Sequence, residues 1–87
     1  MSSEPHSELN YSLAFSRVLS QLRNEKHLSQ EALSFEAGLD RSFISLLERG
    51  LRSPTLDTLI CLCRALGITF TQLAMLIEAQ LEVRDEP

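Results

Sequence analysis

The sequence has no tryptophan, one tyrosine and no long uninterrupted run of apolar residues. Its apolar runs are a few residues long, whereas a helix that crosses a bilayer needs about 20. The N-terminal segment MSSEPHSELN has neither a basic end nor an apolar stretch, so it does not have the pattern of a secretory signal. We therefore expect no membrane partner and a cytoplasmic location.

Cysteine is also scarce, and its placement excludes an internal disulfide. Cys61 and Cys63 lie two residues apart in a segment with helical periodicity, so their side chains point to nearly opposite sides. This spacing, with no histidine nearby, is a weak signal for a metal site. We expect two reduced thiols, no metal and no other cofactor.

Positive charge is in the minority, but the acidic excess lies toward the ends of the chain. The net charge is −4, whereas residues 9–77 contain seven basic and six acidic side chains, a balance of +1. Residues 41–53 contain three arginines and one acid. A local basic patch on a nearly neutral core is compatible with a surface that contacts phosphates.

Three glycines divide the chain into short amphipathic segments. Gly38, Gly50 and Gly67 each follow a periodic run, as suits the left-handed residue that ends a helix. No stretch alternates with a period of two over the length of a strand. The pattern predicts an all-α fold with helices over residues 12–25, 30–37, 41–48, 56–66 and 70–82. We expect one domain over residues 11–83, with loose tails of residues 1–10 and 84–87.

One arrangement recurs before the second, third and fifth predicted helices. Ser29, Asp40 and Thr69 are good N-cap residues, and each has an apolar residue just before it and another four positions after it. That spacing is typical of a hydrophobic staple, and Gln72 adds a capping box to Thr69. The repetition predicts short helices with fixed entry angles.

The fourth and fifth helices have more apolar residues than one core requires. We expect Leu56 and Leu62 on helix 4, and Leu73 and Leu76 on helix 5, to face inward. The apolar residues that remain outward are Ile60, Phe70, Ile77 and Leu81. They predict a symmetric dimer through these two helices, the alternative being that they only cover the monomer's core.

The second and third helices, joined through Gly38-Leu39-Asp40, have the sequence shape of a helix-turn-helix. The stretch LSQEALSFEAGLDRSFISLLERGLRSPTLDTLICLCRALGI resembles the Xre-type, repressor-like helix-turn-helix family, and the resemblance covers about residues 15–77. Within it, GLDRSFISLLERG is similar to the controller proteins of restriction–modification systems. The resemblance implies a repressor-like domain whose third helix enters the major groove of DNA.

The resemblance also implies a function. We expect a transcriptional regulator that binds a palindromic operator as a dimer and controls its own expression. Its partners would be double-stranded DNA and a second copy of the chain, with RNA polymerase or a toxin as further candidates.

The outward side of the third helix is the candidate base-reading surface. Ile44 and Leu47 share the inward side. Arg41 can form a bidentate pair with guanine O6 and N7. Leu46 either contacts a thymine methyl or leaves its base pair unread, and Phe43, at the edge, either contacts DNA or packs inward. The candidate base contacts are Arg41, Ser42, Phe43, Ser45 and Leu46.

Further residues are assigned to phosphates and to the scaffold. The resemblance implies that Gln30 binds a phosphate at the start of helix 2; the alternative is an exposed polar helix former. Arg49 and Arg52 follow the third helix and are candidate phosphate contacts, or else solvated charges. The family pattern also implies that Glu48 pairs with Arg23 and locks the third helix to the first.

Three other functions are weighed against this one. An antitoxin would share the fold and bind a toxin as well as its own operator. A protein-binding domain could retain the fold without DNA binding, as the acidic total charge and Leu46 suggest. An enzyme is disfavoured because neither His6 nor His27 stands in a motif with a nucleophile or acid.

Overall fold

A computed structural model describes residues 10–84, and side chains as far as Leu81. Its helices are α1 (Tyr11–Glu25), α2 (Gln30–Ala37), α3 (Arg41–Glu48), α4 (Leu56–Leu66) and α5 (Phe70–Arg84). These residues contain no strand, so the all-α prediction is confirmed. Most of the two predicted tails, residues 1–9 and 85–87, lies outside the described residues. Asn10 and Arg84 belong to helices rather than to tails, as the N-cap of α1 and the end of α5.

The core is assembled from one side of each helix. α1 packs against α3 and α5, while α2 packs against α3 and α4, so the α2–α3 bend is held from two directions. A single apolar cluster joins all five helices. Its fully buried large side chains are Leu19, Leu33, Ile44, Leu47, Leu62 and Leu66.

Four of the helices end with the same pair of hydrogen bonds. In α2 the N–H of Gly38 donates to the carbonyl of Phe35, and the N–H of Leu39 donates to that of Ser34. The left-handed residues at these ends are His27, Gly38, Gly50 and Gly67, with φ of 58° for the first and 72° for the others. The three glycines thus occupy the predicted positions, whereas His27 holds the same backbone with a β-carbon that costs about 1–2 kcal/mol.

Most of the predicted helix starts are present, but one side-chain cap is not. The Ser29 hydroxyl accepts the N–H of Ala32 at 3.0 Å, and Thr69 and Gln72 form a reciprocal capping box. Asp40 occupies the predicted N-cap position of α3, with the extended backbone of an N-cap, but its side chain makes no capping hydrogen bond. Its carboxylate is exposed, where water satisfies it and the positive end of the α3 dipole still favours its charge.

The buried side of α5 differs from the predicted one. Leu76, expected inward, is 41% exposed, and Leu81, expected outward, is only 6% exposed. Ile77, also expected outward, is half-buried against the core. Because α5 packs along α1 as well as α4, its buried stripe follows the four-residue spacing of Leu73, Ile77 and Leu81.

At the start of α4, Leu56 is exposed rather than inward, while Thr58 on the same turn is buried. Across the described residues, no single helix is long and apolar enough to span a membrane, although α4 and α5 would pass that test together, across a bend of 100°.

Candidate nucleic-acid interface

The packing of α3 separates its two sides sharply. Ile44 and Leu47 are fully buried. Ser34 on α2 is also buried, and its hydroxyl donates to the carbonyl of Glu31, so a small, satisfied side chain lies in the bend. The inward prediction for α3 is therefore confirmed, and the opposite side of the helix faces solvent.

The outward side of α3 brings together most of the predicted base-contact residues. Arg41 and Ser42 are exposed, and Ser45 and Leu46 are half-exposed. Among the described residues the one ion pair is between Arg23 and Glu48, so no carboxylate there neutralises Arg41. The guanidinium is therefore available for a bidentate contact.

Two apolar residues of this surface also have structural roles. The N–H of Leu51 donates to the carbonyl of Leu46 at 3.0 Å, which places the two leucines at positions that commonly touch when a helix ends this way. Phe43 is half-buried and packs against the core. Part of the Phe43 ring therefore packs inward, which was one of the two alternatives for this residue. The exposed edge of the ring lies beside the outward side of α3.

A polar network anchors the C-terminal end of α3 to α1 and α2. Nε of Arg23 donates to Glu48 Oε2 at 2.6 Å, and Nη2 donates to Oε1 at 3.0 Å. Nη1 donates to the carbonyl of Leu28 at 2.7 Å. Nε2 of Gln30 also donates to Glu48 Oε1, at 3.0 Å. The implied Arg23–Glu48 pair is therefore present, with the guanidinium spanning two helices and a turn.

The environment of Glu48 fixes its charge. Partial burial raises the pKa of Glu48, but hydrogen bonds from Arg23, Gln30 and Ser20, with the charge of Arg23, outweigh it and leave the pKa below its ordinary value. The hydrogen bond from Arg23 to Glu48 in turn raises the pKa of Arg23, against a smaller opposing effect of burial. Both groups are charged at neutral pH.

Two residues around Glu48 were not predicted from the sequence to contribute there. Gln30 was assigned to a phosphate, but its amide N–H group bonds to Glu48; its amide oxygen makes no hydrogen bond among the described residues. Ser20, which helps to lower the pKa of Glu48, was not considered for the network at all. The spacing of Gln30 and Ser20 in the sequence does not indicate that they lie near Glu48, because both positions depend on how α1, α2 and α3 pack together.

The segment after α3 is held against α1. A β-carbon at Gly50 would lie 3.6 Å from Cδ1 of Leu13. The hydroxyls of Ser12 and Ser53 are 2.7 Å apart. These contacts fix the segment that carries Arg49 and Arg52, both of which are exposed.

The remaining predicted residues lie on α4 and α5. Ile60 and Phe70 are exposed as expected, whereas Leu81 is buried within the single chain and Ile77 is half-buried. Leu56 lies one turn before Ile60 on the exposed side of α4, and the two form an apolar stripe.

The cysteines are free, and Cys63 is buried while Cys61 is half-buried. Burial raises the pKa of the Cys63 thiol, which disfavours the thiolate that a metal would bind. No group of metal-ligating side chains is found in the part of the chain that the structure describes.

Comparison with known proteins gives consistent matches. A family model described as helix-turn-helix matches residues 19–73. Control protein C.BamHI of Bacillus amyloliquefaciens is 42% identical over 60 residues, which are 68% of this chain and 74% of that protein.

Solved structures of restriction–modification controller proteins share the fold. C.AhdI from Aeromonas hydrophila matches with a TM-score of 0.69 at 42% identity, covering 71% of this chain and 94% of that one. The C.Esp1396I tetramer in complex with its natural 35 base-pair operator matches with a TM-score of 0.78 at 26% identity, covering 83% and 95%. The antitoxin alternative gains no support from these matches.

Proposed function

Because the chain belongs to the helix-turn-helix family, we propose that it regulates transcription by binding a double-stranded operator, as the controller proteins of restriction–modification systems do. The observation that carries this proposal is the outward side of α3. Arg41 and Ser42 are exposed there, while Ile44 and Leu47 anchor the opposite side in the core. A helix presented in this way can enter a major groove without rearrangement of the domain.

Base recognition is assigned to the first two turns of α3. Arg41 reads guanine through O6 and N7, and the hydroxyls of Ser42 and Ser45 adapt to neighbouring base edges. Leu46 and the exposed edge of Phe43 contact thymine methyls or sugars. The Arg23–Glu48 pair holds the helix at a fixed angle, so these side chains meet the groove in one register.

Phosphate contacts are assigned to residues that flank α3. Arg49 and Arg52 are exposed and lie in a segment pinned to α1. Gln30 lies at the start of α2, where its amide oxygen accepts no hydrogen bond from the described residues and the backbone N–H groups favour an anion. A glutamine held by Glu48 adds no charge, so the two arginines supply the electrostatic part of the affinity.

Dimerisation is assigned to the exposed apolar residues of α4 and α5. Ile60 and Phe70 retain the role predicted for them, and the exposed Leu56 extends the stripe on α4. Ile77 contributes its exposed part, whereas the buried Leu81 supports the surface from beneath. Two copies related by a two-fold axis would place their α3 helices in successive major grooves, about 34 Å apart.

Regulation then depends on the concentration of the chain, because a palindromic operator is filled by dimers. The role is that of a binding protein rather than an enzyme, acting in the cytoplasm on its own operator.

The proposal is tested by selecting bound duplexes from a random pool with the full chain. We expect a palindrome with guanine in each half-site, and an affinity that falls steeply as salt rises. Enrichment of no sequence, together with binding that is insensitive to salt, would refute it.

A further inference from the structure

The inference concerns Arg17, a basic residue on α1 to which the sequence analysis gave no role. It lies four residues after Leu13 and three before Ser20, so these three side chains share one side of α1. Leu13 approaches Gly50 at the end of α3, and Ser20 lies near enough to Glu48, the last residue of α3, to help lower the pKa of that carboxyl. Arg17 therefore lies between two points at which α1 touches α3.

Unlike its two neighbours on this side, Arg17 is exposed. No carboxylate among the described residues lies within ion-pair distance of it, since Glu48, the acid at this junction, is already bound by Arg23. The positive charge of Arg17 is therefore not neutralised within the described part of the domain. Its side chain lies at the edge of the junction between α1 and α3, which we call the rim.

The proposed phosphate-contact residues lie along the same rim of the α1–α3 junction as Arg17. The segment with Arg49 and Arg52 is fixed against the same stretch of α1 by the Ser12–Ser53 contact. Gln30 donates to Oε1 of Glu48, the acid at the end of α3. Arg17 thus extends a row of polar and basic groups that runs along one flank of α3.

We infer that Arg17 is a further phosphate-contact residue, which binds the DNA backbone beside the groove that α3 enters. This inference rests on the proposed function. The contact adds affinity without base preference, because phosphates present the same chemistry in every sequence. It also orients the domain, because α1 would then hold the backbone on one flank of α3.

The test measures how the affinity of the full chain for a random-sequence duplex of about 30 base pairs depends on salt, between about 50 and 200 mM. Arg17→Ala is expected to reduce the slope of log affinity against log salt by about 0.9 for each copy bound. Arg17→Lys, which keeps the charge, should retain the slope.

Lys26→Ala is the matched control, because it removes the same charge from the residue that caps the far end of α1. The Lys26 ammonium lies over Gly67, 3.2 Å from where a β-carbon would stand, at the end of α4 rather than beside α3. The slope of log affinity against log salt for Lys26→Ala should equal that of the unmodified chain. If the unfolding midpoint of Arg17→Ala falls, Arg17→Gln keeps the stem of the side chain and provides the same test.

Two results overturn the inference alone. One is an unchanged salt slope for Arg17→Ala and Arg17→Gln while Arg49→Ala and Arg52→Ala reduce it. The other is a reduction of the slope by Lys26→Ala equal to that by Arg17→Ala. Salt-insensitive binding by the unmodified chain would instead remove the proposed function, and the inference with it.

Discussion

The outward sides of α3 and α4 have opposite chemistry, although both helices are short and both bury apolar side chains in one core. α3 exposes Arg41 and Ser42, while α4 exposes Leu56 and Ile60. Both surfaces are backed by buried leucine or isoleucine side chains on the opposite side of the helix. The buried sides thus determine the fold, and the outward sides determine which partner each helix suits: a polyanion for α3 and a second apolar surface for α4.

The two helices also differ in how they are attached. Packing in the apolar core is the main attachment of α4, which approaches α2 and α5. α3 has, in addition, the polar network around Glu48, in which the Arg23 and Glu48 side chains are 15% and 6% exposed. The orientation of α3 is therefore more sensitive to the loss of a single polar side chain.

The largest expected effect tests that difference in attachment. Arg23→Ala removes one partner of a largely buried ion pair and leaves the charge of Glu48 unpaired, which typically costs about 3–5 kcal/mol. We expect the free energy of unfolding in urea to fall by that amount or the protein to be unfolded. Lys26→Ala, which removes an exposed cation at the C-cap of α1, is the control. Native stability of Arg23→Ala, together with native DNA affinity, would contradict the role of the pair.

The second prediction separates the two outward surfaces. Ile60→Glu places a charge in the proposed dimer seam, and the substitution counts twice across a two-fold axis. We expect dimerisation to weaken by about a hundredfold, or about 2.8 kcal/mol. Sedimentation equilibrium measures the change, with Ser42→Ala on α3 as the control. If the unmodified chain is monomeric at high micromolar concentration, the α4 surface does not serve a second copy.

The third prediction concerns the base contacts of α3. Arg41→Ala should reduce the preference for guanine by about 1–3 kcal/mol at one position of each half-site, while leaving the free energy of unfolding unchanged. Competition between duplexes that differ at that position measures the change. An unaltered sequence preference would show that Arg41 does not read that base.

The smallest effect is the pH dependence of the α3 anchor. Since the pKa of Glu48 is lower in the folded chain than its ordinary value, the stability it contributes is full above about pH 4.5 and is lost as the pH falls through the folded pKa. Glu48→Gln should therefore show less acid destabilisation in urea unfolding between neutral pH and about pH 3. Parallel stability profiles for the two proteins would rule out this linkage.

The sequence was sufficient to predict features that depend on neighbouring residues. Gly38 and Gly67 mark helix ends because left-handed backbone favours glycine locally, and the inward side of α3 follows from Ile44 and Leu47 alone. The end of α1 was predicted from periodicity, but its left-handed residue, His27, could not be recognised by residue type.

Features that depend on distant parts of the chain could not be predicted in the same way. Apolar residues occur around most of α5, so periodicity does not distinguish the stripe through Leu81 from one through Leu76. That choice is made by packing against α1. The hydrogen bonds of Arg23 and Gln30 to Glu48 likewise require three helices to meet.

The repeated helix ends have a consequence for the length of the connections. Leu28, Leu39 and Ile68 each donate the last hydrogen bond of one helix and immediately precede the N-cap of the next. In such a turn a single residue both ends one helix and precedes the N-cap of the next, so the two helices together determine the length of the turn. Between α3 and α4 these tasks fall to Leu51 and Pro54 separately. Of the four connections, this one, which carries Arg52, has residues between the end of one helix and the start of the next, and the contact of Ser53 with Ser12 on α1 holds it in place instead.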